Sequence, residues 1–375
     1  MRVLISIIVF VLGTFCSVGQ INAAVEKFAL PSVLSESSGA IFFNNNLITH
    51  NDSGGENKLY ELDTISGLVT REITILNATN VDWEDITQDE SSIYIGDIGN
   101  NVSGNRTDLK IYKVDKNDYL NSITVNSQAI SFSYSDQTDF TAKSANTTEW
   151  DAEALVSFDE TNLILFTKNW VNGVTKAYLV PKTPGSYSLT PLATTLNSGG
   201  LISGGTYNPF TAKLFLVGYT NILQPFVWEC KDFSGNDIFS GTNTKTSIAS
   251  TFSFEQAEAI AFVNERRYFI TSESFSQSFI SDYAKLIAFS TNDIALSFGD
   301  SSPKSNIVLY PNPVNDYLYI KNAEVNSVKV FDMKLAQLYS GNNAYINMSA
   351  FSKGVYIVKI NFDNDYSIIK KIVKE

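Results

Sequence analysis

Asp82-Trp83-Glu84-Asp85-Ile86 is a short acidic motif that runs straight into an apolar strand. Related stretches stand at Ser35-Glu36-Ser37-Ser38-Gly39-Ala40-Ile41, Trp150-Asp151-Ala152-Glu153-Ala154-Leu155, Ile202-Ser203-Gly204-Gly205-Thr206-Tyr207 and Gln256-Ala257-Glu258-Ala259-Ile260. After each, the pattern predicts a second strand, at 46–50, 92–96, 162–167, 213–217 and 268–271. Third strands are predicted at 58–62, 109–114, 176–180, 225–229 and 285–290, and fourth strands at 69–75, 130–134, 188–194 and 247–252. Four strands per unit, repeating at roughly 50 residues, predict the blades of a β-propeller. The fifth unit has no fourth strand, while residues 27–33 precede the first unit with no other home. Both chain ends are therefore expected to build the last blade, which hides two sheet edges. The expected fold class is all-β, a five-bladed propeller; the long interval between Glu84 and Glu153 leaves room for a sixth blade.

The 375 residues are 44% apolar and 18% charged, which rules out wholesale disorder. Against 39 Asp+Glu stand 27 Lys+Arg, for a net charge of −12. Such a chain gains nothing from releasing counterions on a polyphosphate, so nucleic acid is excluded as a favoured partner. His50 is the only histidine. A multi-histidine zinc site is thereby excluded, and any metal is expected among oxygens, which selects Ca²⁺ or Mg²⁺.

Both ends read as addresses. Arg2 precedes an apolar run, Val3 to Leu12, and small residues then lead to Ala24. This is the pattern of a signal peptide over residues 1–23, cut after Gly19 or Ala23, and it implies passage through the Sec machinery. The run is too short to span a membrane, which takes about 20 residues. Phe15 is too bulky for a lipoprotein cut before Cys16, and with Cys16 removed Cys230 is the only thiol, so no internal disulfide is expected. The propeller is expected over 24–297, followed by a Gly/Ser/Pro linker at 298–305. From Lys304 onward 9 Lys face 6 Asp+Glu, so the tail is basic while the remainder is acidic. Seven short strands predicted within 306–375 read as a small Ig-like β-sandwich.

The tail motifs are Leu309-Tyr310-Pro311-Asn312-Pro313-Val314, Val328-Lys329-Val330-Phe331-Asp332, Phe351-Ser352-Lys353-Gly354-Val355-Tyr356 and Lys370-Lys371-Ile372-Val373-Lys374. In this order they resemble the C-terminal sorting domain of type IX secretion in Bacteroidetes. The resemblance implies recognition by the type IX machinery, with Pro311, Asn312, Pro313, Gly354, Tyr356, Lys370 and Lys371 as the sorting signal. It also implies release outside the cell or display on the outer-membrane surface after periplasmic transit. In the repeat region, Asn51-Asp52-Ser53-Gly54-Gly55, Asp82-Trp83-Glu84-Asp85-Ile86, Gly96-Asp97-Ile98-Gly99-Asn100-Asn101 and the two Glu-Ala motifs at Glu153 and Glu258 resemble SdiA-regulated and esterase-like phytase propellers. That resemblance implies a propeller with calcium sites. Lys168 is the only cation where the second strands end, so a phytase's multi-lysine phosphate cradle has no counterpart.

In a propeller the first strand of each blade lines the axis, so motifs far apart in sequence converge on one mouth. Glu36, Glu84, Glu153 and Glu258 read as corresponding positions there, with Ser203 and Gly204 in the fourth unit. The second strands end at Asp52, Asp97, Lys168, Tyr219 and Glu273. Carboxylates crowded on an axis raise one another's pKa unless a cation sits among them. The expected metal set is therefore Glu36, Asp52, Glu84, Asp97, Glu153, Glu258 and Glu273 around Ca²⁺. The competing reading is that each Glu caps backbone N–H groups of the next blade and binds nothing. Lys168 and Trp170 are the expected ligand contacts; Trp83 and Trp150 are expected to pack between blades. His50 and Asp52 are a candidate base and orienter, or simply the entry to a tight turn. No Gly-x-Ser-x-Gly elbow is present. Two functions follow: a monomeric module binding an extracellular ligand, or a Ca²⁺-dependent hydrolase of phosphoesters or lactones.

Overall fold

The computed structural model describes residues 21–22, 24–248, 254–277, 280–293, 308–321, 326–332, 336–361 and 367–375. The signal peptide (Ile21 and Asn22 aside), the linker at 298–305 and residues 249–252 lie outside them; the fourth strand of the fourth unit, expected at 247–252, runs earlier, over Thr242–Ser247, against Pro225–Lys231.

The chain is all-β. Five antiparallel meanders follow one another, opening with Ser37–Phe43, Trp83–Gln88, Ala152–Ser157, Leu201–Asn208 and Gln256–Phe262. Each opening strand lies beside those of the preceding and following units, and the fifth lies beside the first, so the order closes on itself. The second strands are Asn46–Asn51, Ser92–Asp97, Asn162–Thr167, Lys213–Tyr219 and Arg267–Glu273. Val25–Ala29 pairs antiparallel with Lys285–Ser290 and completes the fifth sheet from the other end of the chain. Ile21 bridges Thr291, and the Asn22 N–H donates to the Ser290 carbonyl, so the pairing reaches back to residue 21.

The strands are buried on both faces, which explains their unbroken apolar runs. Successive side chains point to opposite faces. Leu163 and Leu165 accordingly join the cluster shared with the second unit, while Ile164 and Phe166 join the one shared with the fourth. Five such clusters each lie between two successive sheets, the last between the fifth and the first. Trp83 is fully buried in one of them and packs against Tyr112, at 6.0 Å between ring centroids.

The outer strands depart from the expected pattern. In the third unit, residues 185–189 leave their own sheet and pair in parallel with Thr124–Tyr134 of the second unit. That outer strand, longer than expected, also pairs in parallel with Val69–Leu76 of the first. A short helix, Lys116–Asn121, precedes it, capped by Asp115, which accepts from the Asn117 and Asp118 N–H groups. Residues 32–34 form a 3₁₀ turn, so Ser32 and Val33, expected in the closing strand, fall outside it.

The tail holds a three-stranded sheet (Val308–Tyr310, Tyr317–Lys321, Tyr345–Asn347) and a four-stranded one (Gln337–Gly341, Ser327–Phe331, Gly354–Asn361, Ser367–Lys374). Leu318, Ile320 and Ile346 of the first meet Val328, Val330, Val358 and Ile360 of the second in one core. Among the described residues no helix is long and apolar enough to cross a membrane.

Candidate functional site: a buried carboxylate cluster

In every unit the first and second strands slip register at the same level. The breaks fall between Ser37 and Ala40, Trp83 and Asp85, Ala152 and Ala154, Ile202 and Gly204, and Ala257 and Ala259. A bulge re-aims the extra residue, and that residue is Glu84, Glu153, Ser203 or Glu258. In the first unit Ser38 and Gly39 stand opposite His50 alone, which again leaves one residue extra on the opening strand. Ser38 donates to the Glu84 carbonyl at 2.6 Å and Ser203 to that of Ala257, each tying one sheet to the next. Ser38, not Glu36, thus stands level with the three glutamates. Glu36 is exposed two residues earlier, where its carbonyl accepts from the Asp52 N–H at 3.0 Å.

The next level carries Gly39, Asp85, Ala154, Gly204 and Ala259. Larger residues would collide: a β-carbon on Gly39 would lie 2.6 Å from the Ile86 nitrogen, and one on Gly204 would strike the Glu258 carbonyl. Only Asp85 projects a longer side chain there. It accepts from its neighbour Ile86 at 2.8 Å, from Leu155 of the third unit at 2.8 Å and from Gly205 of the fourth at 3.2 Å. Capping of neighbouring sheets is thus performed by Asp85 and the serines rather than by the bulged glutamates. Beyond Asp85, toward the other end, lies a shallow depression lined in part by Phe42, Thr87, Ser157, Tyr207 and Phe262.

On the near side of Asp85 the carboxylates gather. Oxygens of Asp52, Asp82 and Glu84 lie within 4.8 Å of one another, and so do those of Glu84, Asp151 and Glu153. Glu84 belongs to both groups. Its side chain is buried at 3% exposure, and its Oε1 has no hydrogen-bond partner. The Gly99 backbone lies directly against it; a β-carbon there would strike the carboxylates of Glu84 and Asp82. Asp151 is better served, accepting from the Asn100 N–H and from Trp170 Nε1, both at 2.6 Å. Glu153 pairs with Lys168 at 3.1 Å, both side chains buried. Lys168 is anchored by its own N–H on the Asp151 carbonyl at 2.7 Å, and its ammonium lies 5.1 Å from the Trp170 ring centroid and 5.3 Å from that of Tyr219. Glu273 accepts from Gln256 at 2.5 Å, and Glu258 is hydrogen-bonded by Tyr219 and Gln256.

The electrostatics follow from burial first and mutual repulsion second. Both hold the Glu84 carboxyl well above the usual range, with Glu153 the largest single repeller. Burial raises Glu153 as well, against the pull of Lys168. Asp82 is pushed up to about 7, by burial and then by Asp52 and Asp151. Glu258 is pushed up to about 7 by burial despite Lys168, and Glu273 up to about 9 by burial and then Glu258. Asp52 and Asp151 are raised by burial too. His50 is buried, meets Trp83 edge-on at 5.5 Å and is pushed down to about 4 by burial, so it stays neutral at physiological pH.

Of the residues expected at a metal, Asp52, Glu84 and Glu153 are drawn into the cluster, with Glu258 and Glu273 beside it through their electrostatic coupling to Asp52. Asp97 is engaged elsewhere: its Oδ1 accepts from Arg106 at 2.8 Å and from the Asp82 N–H at 3.1 Å. Arg106 also donates to the Gly99 carbonyl at 2.8 Å and to Asp108 at 3.0 Å, so it holds the loop whose glycine backs the cluster. Asp82 and Asp151 had not been singled out. Each stands two residues before a bulged glutamate, and the i, i+2 rule for extended chain is the signal that finds them. Trp170 is half-buried with its indole N–H committed to Asp151.

In the tail, cis peptide bonds precede Pro311 and Pro313, and Asn312 between them ties down the last strand. Its Oδ1 accepts from the Val373 N–H at 2.9 Å and its amide donates to the Lys371 carbonyl at 3.3 Å. Tyr356 packs on Phe351 and donates to the Ser352 carbonyl at 2.7 Å; Gly354 opens the same strand, and Lys370 and Lys371 lie on its neighbour.

Residues 308–375 match the secretion system C-terminal sorting domain. A tail of this family implies a secreted or cell-surface protein and an encounter with the secretion machinery. No curated protein matches the chain. Among solved structures, a chain in the crystal structure of the mitotic checkpoint complex aligns over 78% of this chain and 98% of its own length, at 9% identity and a TM-score of 0.32, a likeness that carries no argument.

Proposed function

We propose that the chain is an exported five-bladed β-propeller whose carboxylate mouth holds a hard divalent cation, Ca²⁺ foremost, and binds an extracellular ligand there. The cyclic order of the five opening strands and the five inter-sheet clusters support the blade count. So do the motif resemblances to SdiA-regulated and phytase-type propellers. The observation that carries the cation is Glu84. A carboxylate sealed from water, with one oxygen lacking a donor and with oxygens in two groups that bring in four other acids, is costly unless a cation completes it. Oxygen donors alone suit Ca²⁺ or Mg²⁺, and Asp52, at the partly exposed edge, leaves the ion open to a ligand. Calorimetric titration of the mature protein with Ca²⁺ tests this: micromolar or tighter binding, lost in Glu84→Gln, is expected, and the absence of binding by the parent protein refutes it.

One observation favours the hydrolase as a second reading. Glu258, raised by burial and hydrogen-bonded by Tyr219, is coupled to Asp52 of the cluster and is the carboxyl available there for proton transfer. A panel of chromogenic esters, phosphoesters and lactones, run with Ca²⁺ and with chelator, separates the two; turnover that needs Ca²⁺ selects the hydrolase.

A further inference from the structure

The two carboxylate groups that share Glu84 differ in how their charge is met. Among the described residues, Asp52, Asp82 and Glu84 form no ion pair with an ammonium or guanidinium. Arg106, which acts on Asp82, is directed onto Asp97, Asp108 and the Gly99 carbonyl, and Lys168 reaches Asp52 and Glu84 only at a distance, with no ion pair to either. Glu84, Asp151 and Glu153 have an ammonium: that of Lys168, 3.1 Å from Glu153 and within electrostatic reach of Glu84 and Glu258. Asp151 in that second group already accepts two N–H donors. Lys168 is also fixed rather than loose. Its backbone is pinned to Asp151, its ammonium sits against two aromatic rings, and its side chain is only 6% exposed.

We infer that Lys168 is the resident cation of the Glu84–Asp151–Glu153 group, so that the mouth takes one divalent ion, between Asp52, Asp82 and Glu84, where the same cluster without Lys168 would take two. This rests on the cation reading above and deepens it. An ammonium offers one positive charge and three donors to carboxylate oxygens, the same service a hard cation gives, but permanently. It also fixes the chemistry open to the mouth. Two-metal catalysis needs ions about 3.5–4 Å apart, and the ammonium stands in the second ion's place. Hydrolysis here, if the chain performs it, works through a single ion.

Native mass spectrometry and equilibrium dialysis of the full mature chain against 1 mM Ca²⁺ count the ions directly. One Ca²⁺ per chain is expected for the parent, two for Lys168→Met, and one for Lys168→Arg, which keeps a cation in place. Two ions on the parent overturn the inference while leaving the cation reading intact, and so does a folded Lys168→Met that still binds one. No ion on the parent overturns the cation reading itself. Should Lys168→Met fail to fold, Lys168→Gln carries the same expectation, and the parent count stands independently of either.

Discussion

Replacing Glu84 by Gln should stabilise the cation-free protein and abolish the further gain that the parent takes from Ca²⁺, so that the two melt close together once Ca²⁺ is present. At 4.8 Å separation and an effective dielectric near 20, two carboxylates repel by about 3.5 kcal/mol. Asp82, pushed up to about 7, is ionised at pH 8 and supplies such a neighbour. Glu84 can instead keep a proton at pH 8, but for a carboxyl of ordinary pKa 4.5 that costs about 5 kcal/mol at 1.36 kcal/mol per pH unit. The lesser cost prevails, so the neutral amide relieves about 3 kcal/mol. At roughly 2 °C per kcal/mol for a domain of this size, melting in EDTA at pH 8 should rise by about 6 °C. Calcium at a hundredfold excess over Kd adds about 2.7 kcal/mol to the parent, or ~5 °C, and little to the variant. Thermal unfolding followed by circular dichroism, in EDTA and in Ca²⁺, reads both effects. A variant that melts lower than the parent in EDTA, or that gains as much from Ca²⁺, refutes the reasoning.

The same electrostatics make a pH prediction for the cation-free protein. Glu258 and Glu273, at about 7 and about 9 in the fold against an ordinary 4.5, contribute stability that is complete below pH 4.5 and lost as pH rises through those values. Melting temperature in EDTA should therefore fall between pH 5 and 9.5 and flatten with saturating Ca²⁺; a rise over that range contradicts the assignment. Asp85→Asn leaves one oxygen for N–H groups of Ile86, Leu155 and Gly205, and should cost about 2–4 kcal/mol, read as a lower urea midpoint; an unchanged midpoint removes Asp85 as the axial tie. Ending the chain at Asp293 should leave Ca²⁺ affinity within about twofold, since no cluster residue lies beyond it, while fractionation finds the product held in the periplasm. Export of the truncated chain would contradict the role of the tail.

Much of the fold was legible because its signals are local. Apolar runs such as Leu163–Phe166, led in by a short acidic or small-residue motif, mark the buried strands, and the orphan stretch before Ser37 announced the closure by both ends. The outer strands were less legible. Residues 185–189 choose a neighbour's edge over their own sheet, a long-range pairing that no local pattern encodes. At the site, Glu36 reads as the counterpart of Glu84 by residue type alone; the pairing puts Ser38 level with the bulged glutamates and leaves Glu36 two residues earlier, before the strand begins. Arg106 reaching back across a loop to Asp97 left no trace in spacing. Asp82 and Asp151 were in plain view, and only the attraction of the repeated glutamates hid the alternation that points them the same way.

A crystal of the mature protein soaked in Tb³⁺, a luminescent and anomalously scattering stand-in for Ca²⁺, tests the central claim most directly. The account predicts one anomalous peak, bounded by Asp52, Asp82 and Glu84, with the Lys168 ammonium beside Glu153. Carboxylates of Glu84, Glu153 and Glu258 turned to separate parts of the molecule, or no peak among them, would contradict it.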